Sequence, residues 1–356
     1  MSRYHDPRGA TNDENAHKGL GYGARKHFQG GKLVALAALL VALALLAAFP
    51  LLVKRENIVN LGCLVLLYVA LASSWNILGG YTGQTNLGHA AFFGLGTLAT
   101  RLLWRAGTPL WLSLPASGCL AVAFALLIGL PAFRLRGAYF AIGTLALAQI
   151  LYVTVGNVFP TISALPPKVL ASYQLLPRYY LFLGLALFTV ATSYFLARSR
   201  LGLGMMAVRE EEDAAESLGV SALRHKLLAL SLSAFLAGLA GGAFAYYHVG
   251  YYPQLPFAPV WTFDSVMMAY LGGTGTTIGP VIGAAFFVVV KEFLALRLVD
   301  LHQIVFGVLF ILVVLFLPGG LVEAWARLQR ALARRSQRRG PGLAGSEARS
   351  GPAKSE

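Results

Sequence analysis

Charged residues are scarce in this chain of 356 residues, and their scarcity excludes an ordinary soluble domain. Asp, Glu, Lys and Arg together make up 12% of the sequence, whereas they make up roughly a quarter of an average soluble protein. Hydrophobic residues make up 57%. The charges lie between long apolar runs and not within them, and a membrane-spanning helix needs about 20 predominantly apolar residues. The composition therefore predicts an all-α polytopic membrane protein.

Cysteine is nearly absent too, and the sequence has no cluster of catalytic or metal-binding residue types. Cys63 and Cys119 both lie in apolar runs and lack the spacing of a disulfide framework or a metal site, so we interpret them as small apolar residues. His89, His248 and His302 are scattered, with no paired ligands at useful spacing. An intramembrane enzyme would need a nucleophile with its base, or a metal constellation. We therefore expect neither a metal site nor catalysis in this chain.

The uncharged runs predict about ten transmembrane helices within a membrane domain at 33–320. The predicted spans are 33–53, 57–78, 87–104, 110–131, 138–156, 179–197, 224–247, 262–275, 278–296 and 303–318. The segment 262–275 is short for a full crossing, so eight spans with additional re-entrant segments are the alternative. The mostly polar segments 1–32 and 336–356 predict disordered tails, the second of them basic.

Basic residues at both ends of the membrane domain predict that both termini are cytoplasmic. Lys and Arg concentrate on the cytoplasmic side of membrane proteins, and two cytoplasmic termini require an even number of crossings. The loop 198–226 contains five Lys and Arg residues and is predicted to be cytoplasmic as well. The formal net charge of +14 lies mostly in these tails and loops. Orientation and attraction to anionic membrane lipid therefore explain the charge, and no nucleic-acid partner is expected.

An amphipathic helix is predicted directly after the last span. The segment 321–335, "LVEAWARLQRALARR", places Leu321, Trp325, Leu328 and Leu332 at helical spacing, with arginines opposite them. This pattern predicts a helix that lies on the inner membrane surface. Docking to a partner protein is the alternative.

Two glycine-rich segments interrupt the apolar runs at 79–96, "GGYTGQTNLGHAAFFGLG", and at 270–283, "YLGGTGTTIGPVIG". Irregular backbone at membrane depth is tolerated where protein buries it or where it lines a water-filled cavity. The broken helices of transporters hold ions or polar substrates in this way. Each segment is therefore either part of a polar pathway or a loop at the membrane surface. The candidate pathway residues are Gly83, Gln84, Asn86, Gly88, His89, Gly272, Gly273, Thr274, Gly275, Thr276 and Gly279.

Helix packing is the alternative role for glycine and for histidine in such runs. Glycines four residues apart let two helices approach closely, and for Gly238 and Gly242 we predict this packing role. His89 is the single titratable side chain other than Tyr and Cys in its uncharged run. An intramembrane histidine can relay protons, but for His89 we favour a hydrogen-bonded packing role.

The loop 198–226 contains a second candidate site, suited to a protein partner. Residues 205–218 predict a helix with an acidic surface and an apolar surface, and Gly219 predicts its end. A mere linker would need no apolar surface, so we expect the helix to fit a groove on a partner. The candidate coupling residues are Arg209, Glu210, Glu211, Glu212, Asp213, Ala214, Ala215, Glu216, Leu218 and Gly219.

These segments resemble the permease subunits of branched-chain amino acid ABC importers. "DAAESLG" at 213–219 follows the Glu-Ala-Ala-x-x-x-Gly pattern of the coupling loop in importer permeases, with Asp213 in place of the glutamate. The chain also looks most like the subunit that pairs with a second, homologous permease. The resemblance covers roughly 57–321 and is carried by five stretches in the family's order: "GYTGQTNLGHAAFFGLG", "RLRGAYFAIGTLALAQI", "SRLGLGMMAVREEEDAAESLGV", "LGGTGTTIGPVIGA" and "VFGVLFILVVLFLPGGLV".

The resemblance implies an inner-membrane importer subunit with several partners. These would be a homologous second permease, two cytoplasmic ATP-binding subunits that carry ATP and Mg²⁺, and an extracytoplasmic solute-binding protein. The sequence agrees on one point, because it lacks the G-x-x-x-x-G-K-[ST] loop that cradles phosphates; the nearest candidate is "GGKL" at 30–33.

Other transport functions remain alternatives. The permeated solute could be urea, a short amide or another amino acid instead of a branched-chain amino acid. An ion-coupled secondary transporter would usually bury acidic or basic residues within the membrane, and the long runs contain none.

Overall fold

The computed structural model describes most of the predicted membrane domain. The described residues are 37, 40–53, 55–164, 170, 173–297, 304, 305, 307, 308, 311, 315, 319–325, 327 and 329. The predicted tails at 1–32 and 336–356 lie outside the described residues, as does most of the predicted span at 303–318. The chain divides into two compact units, Met1–Val59 and Asn60–Glu356. The first contains a short apolar helix, α1, at Leu40–Leu52.

Helices make up most of the described chain. After α1 they are α2 Glu56–Gly79, α3 His89–Arg105, α4 Leu110–Ala132, α5 Ala138–Val158, α6 Leu175–Ala197, α7 Arg200–Glu210, α8 Glu212–Ser217, α9 Ala222–Tyr247, α10 Pro259–Gly272 and α11 Gly279–Arg297. A 3₁₀ turn covers Leu255–Phe257. The two strands, β1 Ser163–Ala164 and β2 Gly250–Tyr251, have two residues each and pair antiparallel. The all-α prediction is confirmed.

Five helices, α2, α4, α5, α6 and α9, are long and apolar enough to cross a membrane, judged by length and composition. Their bounds agree with the corresponding predicted spans to within a few residues. α3 has 17 residues and α10 has 14, so these two are shorter than a typical span. The polytopic prediction is confirmed, and the number of crossings stays a prediction.

Small residues let α3, α4 and α9 pack closely at the centre of the second unit. A Cβ on Gly96 of α3 would overlap the carbonyl oxygen of Gly238 on α9, and a Cβ on Gly242 would lie 2.7 Å from Thr100 Oγ1. From α4, Ser117 Oγ donates a hydrogen bond to Gly238 O at 3.3 Å. Close approach through small residues is typical of membrane helices. The packing role predicted for Gly238 and Gly242 is confirmed.

Large apolar side chains remain exposed on the outer faces of α4, α5 and α6. Trp111, Leu127, Tyr139 and Phe195 are between 69% and 75% exposed. A monomeric soluble protein rarely exposes apolar surface on this scale. These faces suit lipid or another membrane subunit.

The helix predicted at 205–218 is two helices, and this prediction needs correction. α7 begins earlier, at Arg200, where Ser199 Oγ caps it by accepting a hydrogen bond from Gly202 N at 3.1 Å. The helix breaks at Glu211, which has an extended backbone with φ −158° and ψ 111°. The predicted end at Gly219 is confirmed, since this residue has φ +84° and follows α8.

The break lets α7 and α8 fold over one small apolar cluster next to α9. Val208 of α7, Ala215 of α8 and Ala222 of α9 are all nearly fully buried in it. Lys226 Nζ of α9 forms an ion pair with Glu212 Oε2 of α8 at 2.5 Å. One straight helix could not bring both Val208 and Ala215 against α9, so the packing against α9 determines the bend.

Candidate coupling and translocation site

The two glycine-rich segments meet at one end of the helix bundle. Residues 80–88 join α2 to α3 and form the first glycine loop; residues 273–278 join α10 to α11 and form the second glycine loop. Asn76, in the last turn of α2, bridges them. Its Nδ2 donates to Thr276 O at 3.0 Å and its Oδ1 accepts from Gly275 N at 2.9 Å. One amide side chain thus satisfies backbone groups that the second glycine loop leaves outside a helix.

Tyr81 of the first glycine loop extends this connection to α6. Its side chain is fully buried. Its hydroxyl lies 2.7 Å from Ser193 Oγ and 3.3 Å from Thr277 Oγ1, within hydrogen-bonding distance of both. The end of α6 and both glycine loops therefore share a single buried hydroxyl group.

Arg209, a predicted coupling residue on α7, reaches both glycine loops. Its Nη1 donates a hydrogen bond to Gly80 O at 2.6 Å, and its side chain packs against Gly83. On the other side, a Cβ on Gly275 would overlap Arg209 Nη1. Gly275 also has φ +81°, a conformation that L-residues with a side chain rarely adopt. The glycine therefore gives the guanidinium room to lie between the loops.

The candidate pathway residues differ in exposure. The buried ones are Asn86, Gly88, His89, Gly272, Gly273 and Gly279; the half-buried ones are Gln84, Thr274 and Gly275; the exposed ones are Gly83 and Thr276. Solute could not contact the buried members in this conformation. Their role in a pathway stays a prediction, which requires the loops to move.

Asn86 and His89 hold the first glycine loop against α2. Asn86 Oδ1 accepts from Gly88 N at 2.8 Å, and Asn86 O accepts from Trp75 Nε1 at 2.8 Å. His89 Nε2 lies 3.0 Å from Ser74 Oγ. Among the described residues, Asn86 Nδ2 and His89 Nδ1 have no hydrogen-bond partner. These contacts support the packing role that we favoured for His89.

The predicted coupling residues present a mixed surface away from the bundle. Ala215 and Glu212 anchor α8 as described above. The exposed members are Arg209, Glu210, Glu211, Asp213, Ala214, Glu216, Leu218 and Gly219. Leu218 is 86% exposed, although it is apolar and lies among carboxylates. An exposed leucine at the tip of an acidic turn suits a partner's groove.

Sequence reasoning missed a cavity formed mainly by the segment 244–264, from the end of α9 to α10, with Tyr68 of α2 and Lys291 of α11 among its lining residues. Its volume is about 480 Å³. Asp264 and Lys291 delimit the uncharged run 265–290, so in the sequence they appear only as its two ends. Folding that run in half at the second glycine loop brings them together. The available signal was a pair of opposite charges that flank the second glycine loop, eight residues before Gly272 and twelve residues after Gly279.

Arg101 of α3 contacts the loop after α9, next to this cavity. Its Nη2 donates to His248 O at 2.8 Å, and its guanidinium lies 4.8 Å from the centre of the Tyr251 ring. Burial, and secondly the positive charge of Arg101, lower the pKa of His248 to about 4. His248 is therefore neutral near pH 7, and Arg101 has a structural role in the loop after α9.

The fold and these two regions define a class of protein: a polytopic helical membrane protein whose surface helices contact the loops between its membrane helices. Permease subunits belong to this class. The sequence model of the family described as "Branched-chain amino acid transport system / permease component" matches residues 57–314. The chain belongs to this family of transport permeases.

Individual relatives agree with the family and differ in their named substrates. The high-affinity branched-chain amino acid transport system permease protein LivM of Escherichia coli is 30% identical over 326 residues, 82% of this chain and 76% of the relative. The probable branched-chain amino acid transport permease LivM of Methanocaldococcus jannaschii is 26% identical, with 54% of this chain and 62% of the relative covered. The autoinducer 2 import system permease LsrC of Klebsiella pneumoniae is 35% identical, with 40% and 43% covered. No solved structure matches the chain significantly.

Proposed function

We propose that this chain is a membrane-spanning subunit of an ATP-driven importer and forms the path for branched-chain amino acids. Its partners in this proposal are a homologous second permease, two cytoplasmic ATP-binding subunits that bind ATP and Mg²⁺, and an extracytoplasmic solute-binding protein. The chain lies in the inner (plasma) membrane with both termini cytoplasmic. It has no catalytic role of its own, and α7–α8 are the contact to the ATP-binding subunits.

The observation that carries this proposal is the position of Arg209. A nucleotide-driven change in a partner acts on a pathway only through contacts whose free energy differs between two states. Arg209 lies on the helix pair that presents Leu218 to a partner, and it hydrogen-bonds to Gly80 and packs against Gly275. A displacement of α7–α8 therefore acts directly on both glycine loops.

The branched-chain amino acid as substrate rests on the named LivM relatives and on the absence of charge in the loops. The glycine loops 80–88 and 273–278 contain no Asp, Glu, Lys or Arg. Neutral polar groups offer several weak hydrogen bonds, which suit a zwitterion of zero net charge that must be released. The LsrC relatives, named for autoinducer 2 import, favour a second candidate, a permease for another small polar solute. Urea, short amides and other amino acids belong to this second candidate.

The coupling role is tested by replacing Glu216 and Leu218 together with lysine. Both side chains are exposed, so the fold and the buried anchor at Ala215 should survive. The matched control is Leu135→Lys, which changes another exposed leucine in the loop between α4 and α5. We expect the double variant to abolish uptake and association with the ATP-binding subunits, while membrane insertion and affinity for the solute-binding protein stay normal.

Near-normal uptake and association in the Glu216/Leu218 double variant would contradict the coupling role. Uptake by the wild-type assembly of a solute other than branched-chain amino acids would instead support the second candidate.

A further inference from the structure

An ion pair joins the two helices of the α10–α11 hairpin, with a buried carboxylate and a partly exposed lysine. Lys291 Nζ is 2.7 Å from Asp264 Oδ2, and the side chains are 37% and 7% exposed, respectively. Tyr68 of α2 donates a hydrogen bond from its hydroxyl to the same Asp264 Oδ2 at 3.0 Å. The carboxylate is therefore fixed from two sides, whereas the lysine is a long side chain with one end partly free.

Stability alone does not account for this pair. Removing the Asp264 carboxylate from water is costly, and an ion pair with a partly exposed partner such as Lys291 contributes little to stability. Ionisable residues that line a cavity in a membrane protein commonly mark substrate or ion pathways. Asp264 and Lys291 thus call for a role in function.

The ion pair faces a cavity of a size that suits a small solute. The cavity of about 480 Å³ falls within the range of roughly 300–1,000 Å³ that ligand sites occupy. Five of the thirteen lining residues are Tyr, Phe or Trp; Tyr68 and Trp261 are stacked at 5.6 Å and Phe244 lies against Trp261 at 5.1 Å between ring centres. An aromatic and aliphatic wall that also contains His248, one carboxylate and one ammonium group offers an apolar surface beside two opposite charges.

We propose that this cavity is a transient binding site for an α-amino acid zwitterion with an apolar side chain. The ligand's ammonium group binds Asp264, its carboxylate binds Lys291, and its side chain lies against the rings of Tyr68 and Trp261. Lys291 moves away from Asp264 to admit the ligand, so one internal ion pair is exchanged for two ligand contacts. Loss of the internal ion pair offsets part of the gain from the two ligand contacts, which keeps the site weak enough to release the solute. This inference rests on the proposed function, because it assumes an amino acid cargo.

The hairpin that forms the cavity also forms the second glycine loop. Asp264 lies eight residues before Gly272 and Lys291 lies twelve residues after Gly279, which correspond to about 12 Å and 18 Å along the helices. Arg209 touches the loop between them. The α10–α11 hairpin therefore links the cavity to the contact with α7–α8.

The test uses the complete membrane assembly in lipid nanodiscs, without the solute-binding protein, and radiolabelled L-leucine as the probe. The principal variant, Asp264→Asn with Lys291→Met, removes both charges and leaves no unpaired ion, so the fold should persist. Glu292→Gln is the matched control, because Glu292 is exposed, adjacent to Lys291 and outside the cavity lining. We expect saturable binding by the wild type and by the control, and a loss of about tenfold or more in the double variant.

Charge-deleted analogues separate a binding role from a structural one. Isoamylamine lacks the carboxylate of leucine, and 4-methylpentanoate lacks its ammonium group. Both should compete at least about tenfold less well than leucine in the wild type. Asp264→Asn should lose its preference for leucine over 4-methylpentanoate, and Lys291→Met its preference over isoamylamine. A merely structural ion pair would not exchange specificity in this paired manner.

Two results would overturn the inference while leaving the proposed function intact. One is unchanged leucine binding in the double variant. The other is no saturable binding by the wild-type assembly although it takes up leucine when supplied with its solute-binding protein. If the complete wild-type system transports no branched-chain amino acid at all, the proposed function fails and this inference fails with it.

Discussion

Replacing Arg209 with alanine should uncouple ATP hydrolysis from transport without dissociating the assembly. The substitution removes the hydrogen bond from Arg209 Nη1 to Gly80 O, which measures 2.6 Å, and the packing against Gly275. Alanine is the best helix former, so α7 itself should persist. The exposed partner surface around Leu218 is unchanged, and association with the ATP-binding subunits should remain.

The size of the effect follows from the kind of contact that is lost. A hydrogen bond to a charged donor contributes roughly 1.5–3 kcal/mol in proteins. Arg209 is exposed, so solvent screening reduces its contribution to ~1 kcal/mol. Because 1.4 kcal/mol corresponds to a factor of ten, the ratio of coupled to uncoupled states should fall about fivefold.

The assay measures solute uptake and ATP hydrolysis in the same proteoliposomes, with the loaded solute-binding protein in saturating amount. For Arg209→Ala we expect near-normal ATP hydrolysis and about fivefold less solute per ATP. Arg200→Ala is the matched control, since Arg200 is an exposed arginine at the start of the same helix. An uptake-to-hydrolysis ratio within experimental error of the wild type would refute the role of Arg209. An equal loss in the Arg200 control would show a general charge effect instead.

Three further outcomes are expected. The purified chain by itself should hydrolyse no ATP, because its sequence lacks a phosphate-cradling loop. Appreciable ATP turnover in a phosphate-release assay would contradict the proposed role as a transport subunit. In a variant without native cysteines, single cysteines in place of Gln84 and Thr276 should react with water-soluble thiol reagents in the absence of ATP. A cysteine in place of the buried Asn86 should react only when ATP and loaded binding protein are supplied. Protection of the cysteine at position 86 in every state would show that Asn86 does not line the pathway. Burial and the charge of Arg101 lower the pKa of His248 from 6.5 to about 4. The free energy of unfolding therefore falls as the pH drops from about 6.5 toward 4, because the unfolded chain binds a proton there that the folded chain excludes. The thermal midpoint should therefore drop more between about pH 7 and pH 5 in the wild type than in His248→Gln, and parallel curves would exclude this linkage.

The amino-acid sequence determined the membrane class and the course of the helices. Long runs free of charge define apolar helices whatever their neighbours are, because lipid-exposed backbone must form its hydrogen bonds within the segment. The predicted bounds 110–131 and 138–156 thus agree closely with α4 and α5. Motif order also determined the family, and the match over 57–314 confirms it. Gly219 marked the end of α8 locally, since few other residues accept its positive φ.

Only the tertiary structure decided which distant residues act together. The bend at Glu211 arises because α7 and α8 both bury side chains against α9, a contact that local helix propensity does not contain. Arg209 meets Gly80 and Gly275 only after three separate segments have packed at one end of the bundle.

The Asp264–Lys291 pair is the clearest case of a contact that the sequence analysis did not predict. Hydropathy treats Asp264 and Lys291 as the two boundaries of one apolar run, because it averages along the chain. The α10–α11 hairpin folds that run back on itself and brings the two charges to 2.7 Å from each other. Attraction between charges depends on distance in space and not on separation in sequence, so the pair and its cavity follow from the packing of the helices.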